Sequence, residues 1–414
     1  MRRSLVLRIS RSSIETSILS SMLFCMPLCY YINLVVQNGL GIGVSVTPFF
    51  YMFLAIGGIF SYMLVISRKS SACGLAFTFF LLGTLLYILF NAGSVRYIYT
   101  DITDLAYNPS IILFLYCLPT LFFCICGKID NELLLKKMCG MGRFTLILYS
   151  VCFFIFRIGT KSLSIEYMTF SYNALPSICI CLSHKEQSKT KRFFTKALAV
   201  LGLIITLIAG ARGALVCNIF FICLLLLFSN QFSSRKRFFL VTVMTVVALV
   251  IVFYLDKILM GLATYLNSVG IYSRTLSKAV QSSFAEGDDR YELWVPALEA
   301  TLKSPIWGMG MWGDRPIVRG YVHNFFVELL CSYGFVFGGI IILAIIVMVA
   351  RTLNSGRRIT TELFSLFLIS LPMGLIQLMF SGSYLTNMWF FFLLGLLINC
   401  NRQRKEYRNS AYLQ

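Results

Sequence analysis

The chain has 414 residues, of which 58% are hydrophobic and only 13% charged, and its formal net charge is +19. A soluble domain carries about 25% charged residues, so a water-soluble globule is excluded and lipid is the expected solvent. The Lys and Arg excess lies at the ends of apolar runs, which marks membrane topology beside anionic lipid and not nucleic-acid binding.

Apolar runs long enough to cross about 30 Å of hydrocarbon recur from end to end. They predict about twelve helical spans, near 17–36, 47–67, 73–90, 111–126, 144–158, 167–183, 194–210, 214–228, 238–255, 326–350, 361–380 and 385–400. The expected fold class is therefore an all-α polytopic membrane protein. The basic start (Arg2, Arg3, Arg8, Arg11) leads into a full-length span with no A-x-A-like site, so no cleavable signal peptide is expected. Loops predicted to share one side hold Arg68-Lys69; Lys128, Lys136, Lys137 and Arg143; Lys185, Lys189, Lys191 and Arg192; Arg235 to Arg237; and Arg351, Arg357 and Arg358. Together with both termini they account for about 24 of the 36 basic residues, which places both ends in the cytoplasm. The 14 Cys fall mainly inside spans and read as small apolar fillers. The Cys124/Cys126 and Cys179/Cys181 pairs do not have metal-ligand spacing.

Inter-span loops are short with one exception, which divides the chain into spans one to nine (1–255), an external cap (256–324), spans ten to twelve (325–400) and a basic tail (401–414). A connection this long tends to be functional. It carries three of the four Trp, at 294, 307 and 312. The stretch Asp289 to Trp294 predicts a helix start, with Asp289 as cap and Glu292 at capping-box spacing, and Ser304-Pro305 predicts its stop. The acidic group Glu286, Asp288 and Asp289 is explained better by helix capping than by a metal.

On the external side, Arg212 sits between Gly210 and Gly213 at a tight junction of two spans. An Arg there is expensive beside hydrocarbon and is expected to face a cavity or an anion, the alternative being snorkelling to head groups. Arg290 opens the predicted cap helix, where a cation opposes the helix dipole. His323, one of two histidines, has the residue type of a general base, and equally that of an interface residue at a span end. Asn324 could orient it or bind a sugar hydroxyl. Glu328, one turn into the next span, is expected to point into the bundle. Trp294 and Tyr291 are candidates for stacking on sugar faces, whereas Trp389 and Tyr384 read as aromatic-belt residues. No Walker A, GxSxG or HExxH pattern occurs.

Three segments in this order, GARGA (210–214), DRYELWVPALEATLKSPIWGMG (289–310) and HNFFVELLCSYGFVFG (323–338), resemble the O-antigen polymerase and ligase superfamily of bacterial inner-membrane glycosyltransferases. Nine residues separate Asn324 from Gly334, as in the ligase signature, but the further glycine, Gly338, stands one place late. The resemblance implies a site on the periplasmic face that transfers a glycan from an undecaprenyl-pyrophosphate carrier, without metal or other cofactor. Arg212 and Arg290 would hold the pyrophosphate and His323 would act on the acceptor hydroxyl. Arg96, Arg157 and Lys161 are external basic residues that would complete the anion site. Polymerase is favoured over ligase, because SPIWGMG, the HNFF segment and the turn at 381–384 look more polymerase-like. A flippase and a chain-length regulator are the implied partners, with membrane lipid. A lipid-linked oligosaccharide transporter is the rival reading; the off-centre external loop and the short connection after the sixth span speak against it.

Overall fold

The computed structural model describes residues 10–67, 112–158, 167–184, 186–209, 211–228, 290–318, 320–354 and 359–412, with isolated positions between 235 and 261. Its helices in chain order are α1 (Arg11–Asn33), α2 (Thr47–Ser67), α3 (Leu118–Cys126), α4 (Asn131–Phe153), α5 (Tyr167–Ser183), α6 (Lys189–Ile208), α7 (Arg212–Leu227), α8 (Arg290–Thr301), α9 (Arg315–Val318), α10 (Phe325–Tyr333), α11 (Gly339–Leu353), α12 (Thr361–Leu371) and α13 (Met388–Tyr412). No strand occurs among the described residues. Five helical stretches there are long and apolar enough to cross a membrane: Arg11–Gly39, Thr47–Ser67, Asn131–Phe156, Phe325–Leu353 and Thr361–Met379. Leu113–Cys126 and Arg212–Leu227 are shorter apolar helices. The expected span 73–90, most of 238–255, and residues 256–260 and 262–289 of the cap lie outside the described residues.

Two elements extend further than the apolar runs suggest. The short span expected at 144–158 is the second half of α4, which starts at Asn131 because the Asp130 carboxylate accepts from the Leu133 N–H at 3.1 Å. Lys136, Lys137 and Arg143 are good helix formers and do not interrupt it. The basic tail likewise continues α13 as helix to Tyr412.

The core forms where α1, α4 and α5 pack together. Tyr31, Tyr149 and Phe170 are fully buried there, and the Tyr31 hydroxyl donates to the Phe170 carbonyl at 2.6 Å. A buried phenol keeps such a partner because an unmade hydrogen bond in an apolar interior is costly. α13 packs on α3, where a Cβ at Gly395 would lie 2.4 Å from the Cβ of Cys124. Asn399 on α13 then donates to the Cys124 carbonyl at 2.7 Å, one of the four carbonyls that the end of α3 leaves without a helical partner. Near the start of α1, the buried Glu15 pairs with Arg11 at 2.8 Å and accepts from the Lys128 N–H at 2.5 Å. Thr16 accepts from the Asp130 N–H at 3.0 Å, so α1 also holds the turn that launches α4.

Trp389 and Tyr384 are not belt residues. Both are buried, Trp389 edge-on to Phe24 and Phe392, and Tyr384 with its hydroxyl 3.3 Å from that of Tyr333. Their aromatic surface is used in helix packing. Of the thirteen described Cys all but Cys223 are buried, as apolar fillers are.

Candidate functional site

α10 starts where the chain turns from polar to apolar. Asn324 is its cap: extended in backbone, its side-chain oxygen accepts from Phe326 N at 3.0 Å and Val327 N at 3.2 Å. The helix ends nine residues later at Gly334, with φ 77° and ψ 170°. That region of backbone space is open essentially to glycine alone. The break frees the carbonyls of Cys331 and Ser332, which would otherwise accept from residues 335 and 336. They accept instead from Met309 N at 2.8 Å and Gly310 N at 2.9 Å, and Val336 N returns a bond to the Pro305 carbonyl at 3.3 Å. The segment 305–310 is thus laid against the broken helix by backbone bonds. A Cβ at Gly308 would sit 2.3 Å from Gly334 N, so the glycines of SPIWGMG and CSYG are the two sides of one close approach.

Side chains complete the cap. Ala297 on α8 packs with Val322, Val327 and Cys331, with Trp294, Leu298, Met309 and Val318 around them. The Trp294 indole N–H donates to the Val322 carbonyl at 2.7 Å. One residue on, His323 has φ 52°, and Trp312 has φ 60°; they are the non-glycine residues with positive φ among those described. Each such conformation costs on the order of 1–3 kcal/mol and persists only where the surroundings impose it. The His323 ring lies 4.0 Å, centroid to centroid, from that of Tyr321. Arg315 in turn lies over the Tyr321 ring at 5.0 Å.

Arg315 is the hub of a charged group that sequence reasoning missed. Its Nη1 donates to the Gly320 carbonyl at 2.9 Å, its Nη2 is 3.5 Å from Glu328 Oε1, and its Nε is 3.9 Å from Asp314 Oδ1. Glu328, 1% exposed, accepts from the Ser383 hydroxyl and from Tyr384 N at 3.1 Å. Asp314 is as deeply buried, and burial pushes its carboxyl above the usual range while Arg315 opposes the shift. The N–H groups of Val322 and Arg315 also lie near this carboxylate, but neither meets it in hydrogen-bonding alignment. The available signal was the repeat of an Asp-Arg pair, 289–290 and 314–315, the second set between Gly313 and Pro316.

Arg212 belongs to the same end of the bundle. It is the first residue of α7 and half-buried, and the next residue, Gly213, would place a Cβ 1.9 Å from the Tyr172 hydroxyl and 3.3 Å from Phe380 Cβ. Three residues beyond Phe380, Ser383 bonds Glu328 of α10. The turn 380–384 therefore joins the start of α7 to the start of α10, and with it Arg212 to the neighbourhood of His323 and Arg315. Both helices direct their N-termini here, where unpaired N–H groups favour an anion.

The other expected site residues fall as follows. Arg290 and Tyr291 open α8, and Arg157 lies in the π turn Phe154–Ile158 that ends the α4 span. Arg96 and Lys161, like the acidic group Glu286, Asp288 and Asp289, lie outside the described residues. Glu328 turns inward and is engaged by Ser383, Tyr384 and Arg315. Trp294 commits its indole N–H to the cap itself, donating to the Val322 carbonyl.

No curated protein matches this chain significantly. A family model does: residues 197–344 match the O-antigen ligase family. That interval begins in α6 and ends in α11, so it contains Arg212, the cap helix α8, the docked segment 305–310 and the His323-Asn324 start of α10. The chain is a multi-pass helical membrane protein whose residues 197–344 are similar to the O-antigen ligase family.

Proposed function

We propose that the protein is an O-antigen polymerase of the bacterial inner membrane, joining undecaprenyl-pyrophosphate-linked repeat units on the periplasmic face. The observation that supports this most is the convergence at one end of the bundle of Arg212, the strained His323 and the Arg315 group, beneath a cap opened by Arg290. In this reading a hydroxyl at the non-reducing end of a new lipid-linked repeat attacks the anomeric carbon of the growing chain. The glycosidic bond forms as the bond to the pyrophosphate breaks, and His323 takes the hydroxyl proton. The leaving pyrophosphate gathers negative charge, which the guanidiniums of Arg212 and Arg290 would stabilise bidentately. Arg315, held by two buried carboxylates, fixes Tyr321 under the His323 ring and so orients the imidazole. Preference for polymerase over ligase rests on the likeness of SPIWGMG and the HNFF segment, and on Gly338 standing one place from the ligase pattern.

Deletion of the gene followed by gel analysis of lipopolysaccharide tests the assignment. Core carrying a single repeat is the expected pattern. Core without any repeat, with lipid-linked polymer accumulating, would show the ligase reaction instead.

His323 has its own test. Asn tolerates the left-handed backbone better than other residues, so His323→Asn keeps the turn while removing the base. Polymerisation is expected to fall by about 10²-fold or more, the usual contribution of a positioned acid–base. Activity near wild type throughout pH 6 to 8 would show that the residue does not carry the proton.

A further inference from the structure

We propose a zinc site at the far end of α5 from His323, with Cys139, Cys181, His184 and Glu186 as ligands. Tyr172 marks the Arg212 end of α5, and His184 follows its last residue, roughly 18 Å away along the helix axis at 1.5 Å per residue. The site is therefore separate from the glycan chemistry. Ligand atoms of Cys139, His184 and Glu186 all lie within 4.8 Å of one another. The Cys139 Sγ is 3.8 Å from Glu186 Oε1. The Cys181 thiol lies within hydrogen-bonding reach of Cys139. Tetrahedral zinc with bonds of about 2.0–2.3 Å sets its ligands roughly 3.3–3.8 Å apart, so a contraction of about 1 Å brings Cys139, His184 and Glu186 to the ion, and Cys181, outside that group of three, turns in to complete a Cys₂-His-Glu set. The sequence hides this set because Cys139 comes from α4, whereas Cys181, His184 and Glu186 come from the end of α5 and the link to α6.

Arg143 and Lys196 stand beside the cluster, with Lys136 also acting on His184, and these cations do not count against it. Arg143 Nη1 donates to Glu186 Oε1 at 2.5 Å and to Thr195 Oγ1 at 3.4 Å. The Lys196 ammonium donates to the backbone carbonyls of Cys181 at 3.1 Å and His184 at 3.3 Å, and to that of Leu182, closing the C-terminus of α5. Zinc entering the site displaces two thiol protons and forms two Zn–S bonds, so the +2 ion replaces two H⁺ and the local charge does not change. The completed Cys₂-His-Glu set would carry one net negative charge, which Arg143 neutralises from behind Glu186 as an outer-shell partner. The ion would tie α4, the end of α5 and the start of α6 into one corner.

The test uses the full-length protein in detergent, exposed to Zn²⁺ and then freed of loose metal by gel filtration against a weak chelator. About one zinc per chain is expected, falling to background in Cys139→Ser and in His184→Ala. Replacing zinc with Co²⁺ in the wild type gives a second readout that needs no variant: two thiolates produce an intense sulfur-to-cobalt charge-transfer band. Background zinc in the wild type, unchanged zinc in Cys139→Ser, or a cobalt spectrum without that band would each overturn the site. So would a Cys139–Cys181 disulfide in freshly isolated protein.

Discussion

Arg212→Ala is expected to abolish long glycan chains while leaving the protein inserted at normal levels. The side chain stands on the first residue of α7, where helix N–H groups without intrahelical partners and the macrodipole already favour an anion. Gly213 lets the Tyr172 hydroxyl pack directly behind it, so the helix start has no room to re-aim. Removing one charge-stabilising donor from a site of this kind costs about 2.7–4 kcal/mol in the transition state, or 10²–10³-fold in rate. Arg290→Ala is expected to behave the same way. Arg212→Lys should recover only part of the loss, because an ammonium lacks the planar fork that grips two phosphate oxygens. Chain-length distributions on lipopolysaccharide gels, normalised to membrane protein level, read all three variants. Wild-type chains from Arg212→Ala at normal expression would remove the pyrophosphate clamp from the account.

Gly334→Ala is expected to be nearly as damaging although it touches no charged group. Its backbone, at φ 77° and ψ 170°, suits glycine alone, and an added Cβ would lie 2.6 Å from the carbonyl carbon and oxygen of Ile306 and from Pro305 O. The clash meets backbone on every side, so no rotamer change relieves it. The two bonds from Met309 and Gly310 to the broken helix would be lost, and with them the seat of the cap over His323. Gly339→Ala supplies the control: a Cβ there meets nothing within 4 Å and the residue is helical. It should leave chain length unchanged and favour the helix by roughly 0.5–1 kcal/mol. Limited proteolysis between residues 290 and 320 reports the undocking directly. Equal resistance in the two variants would show that segment 305–310 is not held by the Gly334 break.

Much of the bundle was legible because lipid imposes a long, continuous apolar signal on each span. α2 runs over the expected residues, 47 to 67. The signal says little about where helix stops once it leaves hydrocarbon, and so the polar first half of α4 and the helical tail of α13 were missed. The cap helix was legible in part, since α8 opens at Arg290, directly after the residue expected to cap it. The docking of 305–310 was not, because backbone-to-backbone bonding leaves only glycines in the sequence, and glycines also mark ordinary turns. Arg315 was overlooked for a related reason. Its partner Glu328 is 13 positions away and is itself held by Ser383, 55 positions further on, and only the fold brings a span interior and a distant turn together beside this guanidinium. The same holds for Cys139 and Glu186, 47 positions apart, which come into contact because α4 packs along α5.

If the proposed polymerase site is formed by Arg212, Arg290 and His323, the protein lengthens lipid-linked glycans by itself. Purified protein in lipid vesicles, supplied with undecaprenyl-pyrophosphate-linked repeat units and no added metal, measures this directly by the length of the product chains. A ladder of multiples of the repeat from the wild type, absent with Arg212→Ala and strongly reduced with His323→Asn, is the predicted result. Repeat units that stay single with the wild type, or move across the vesicle membrane without changing length, would contradict it.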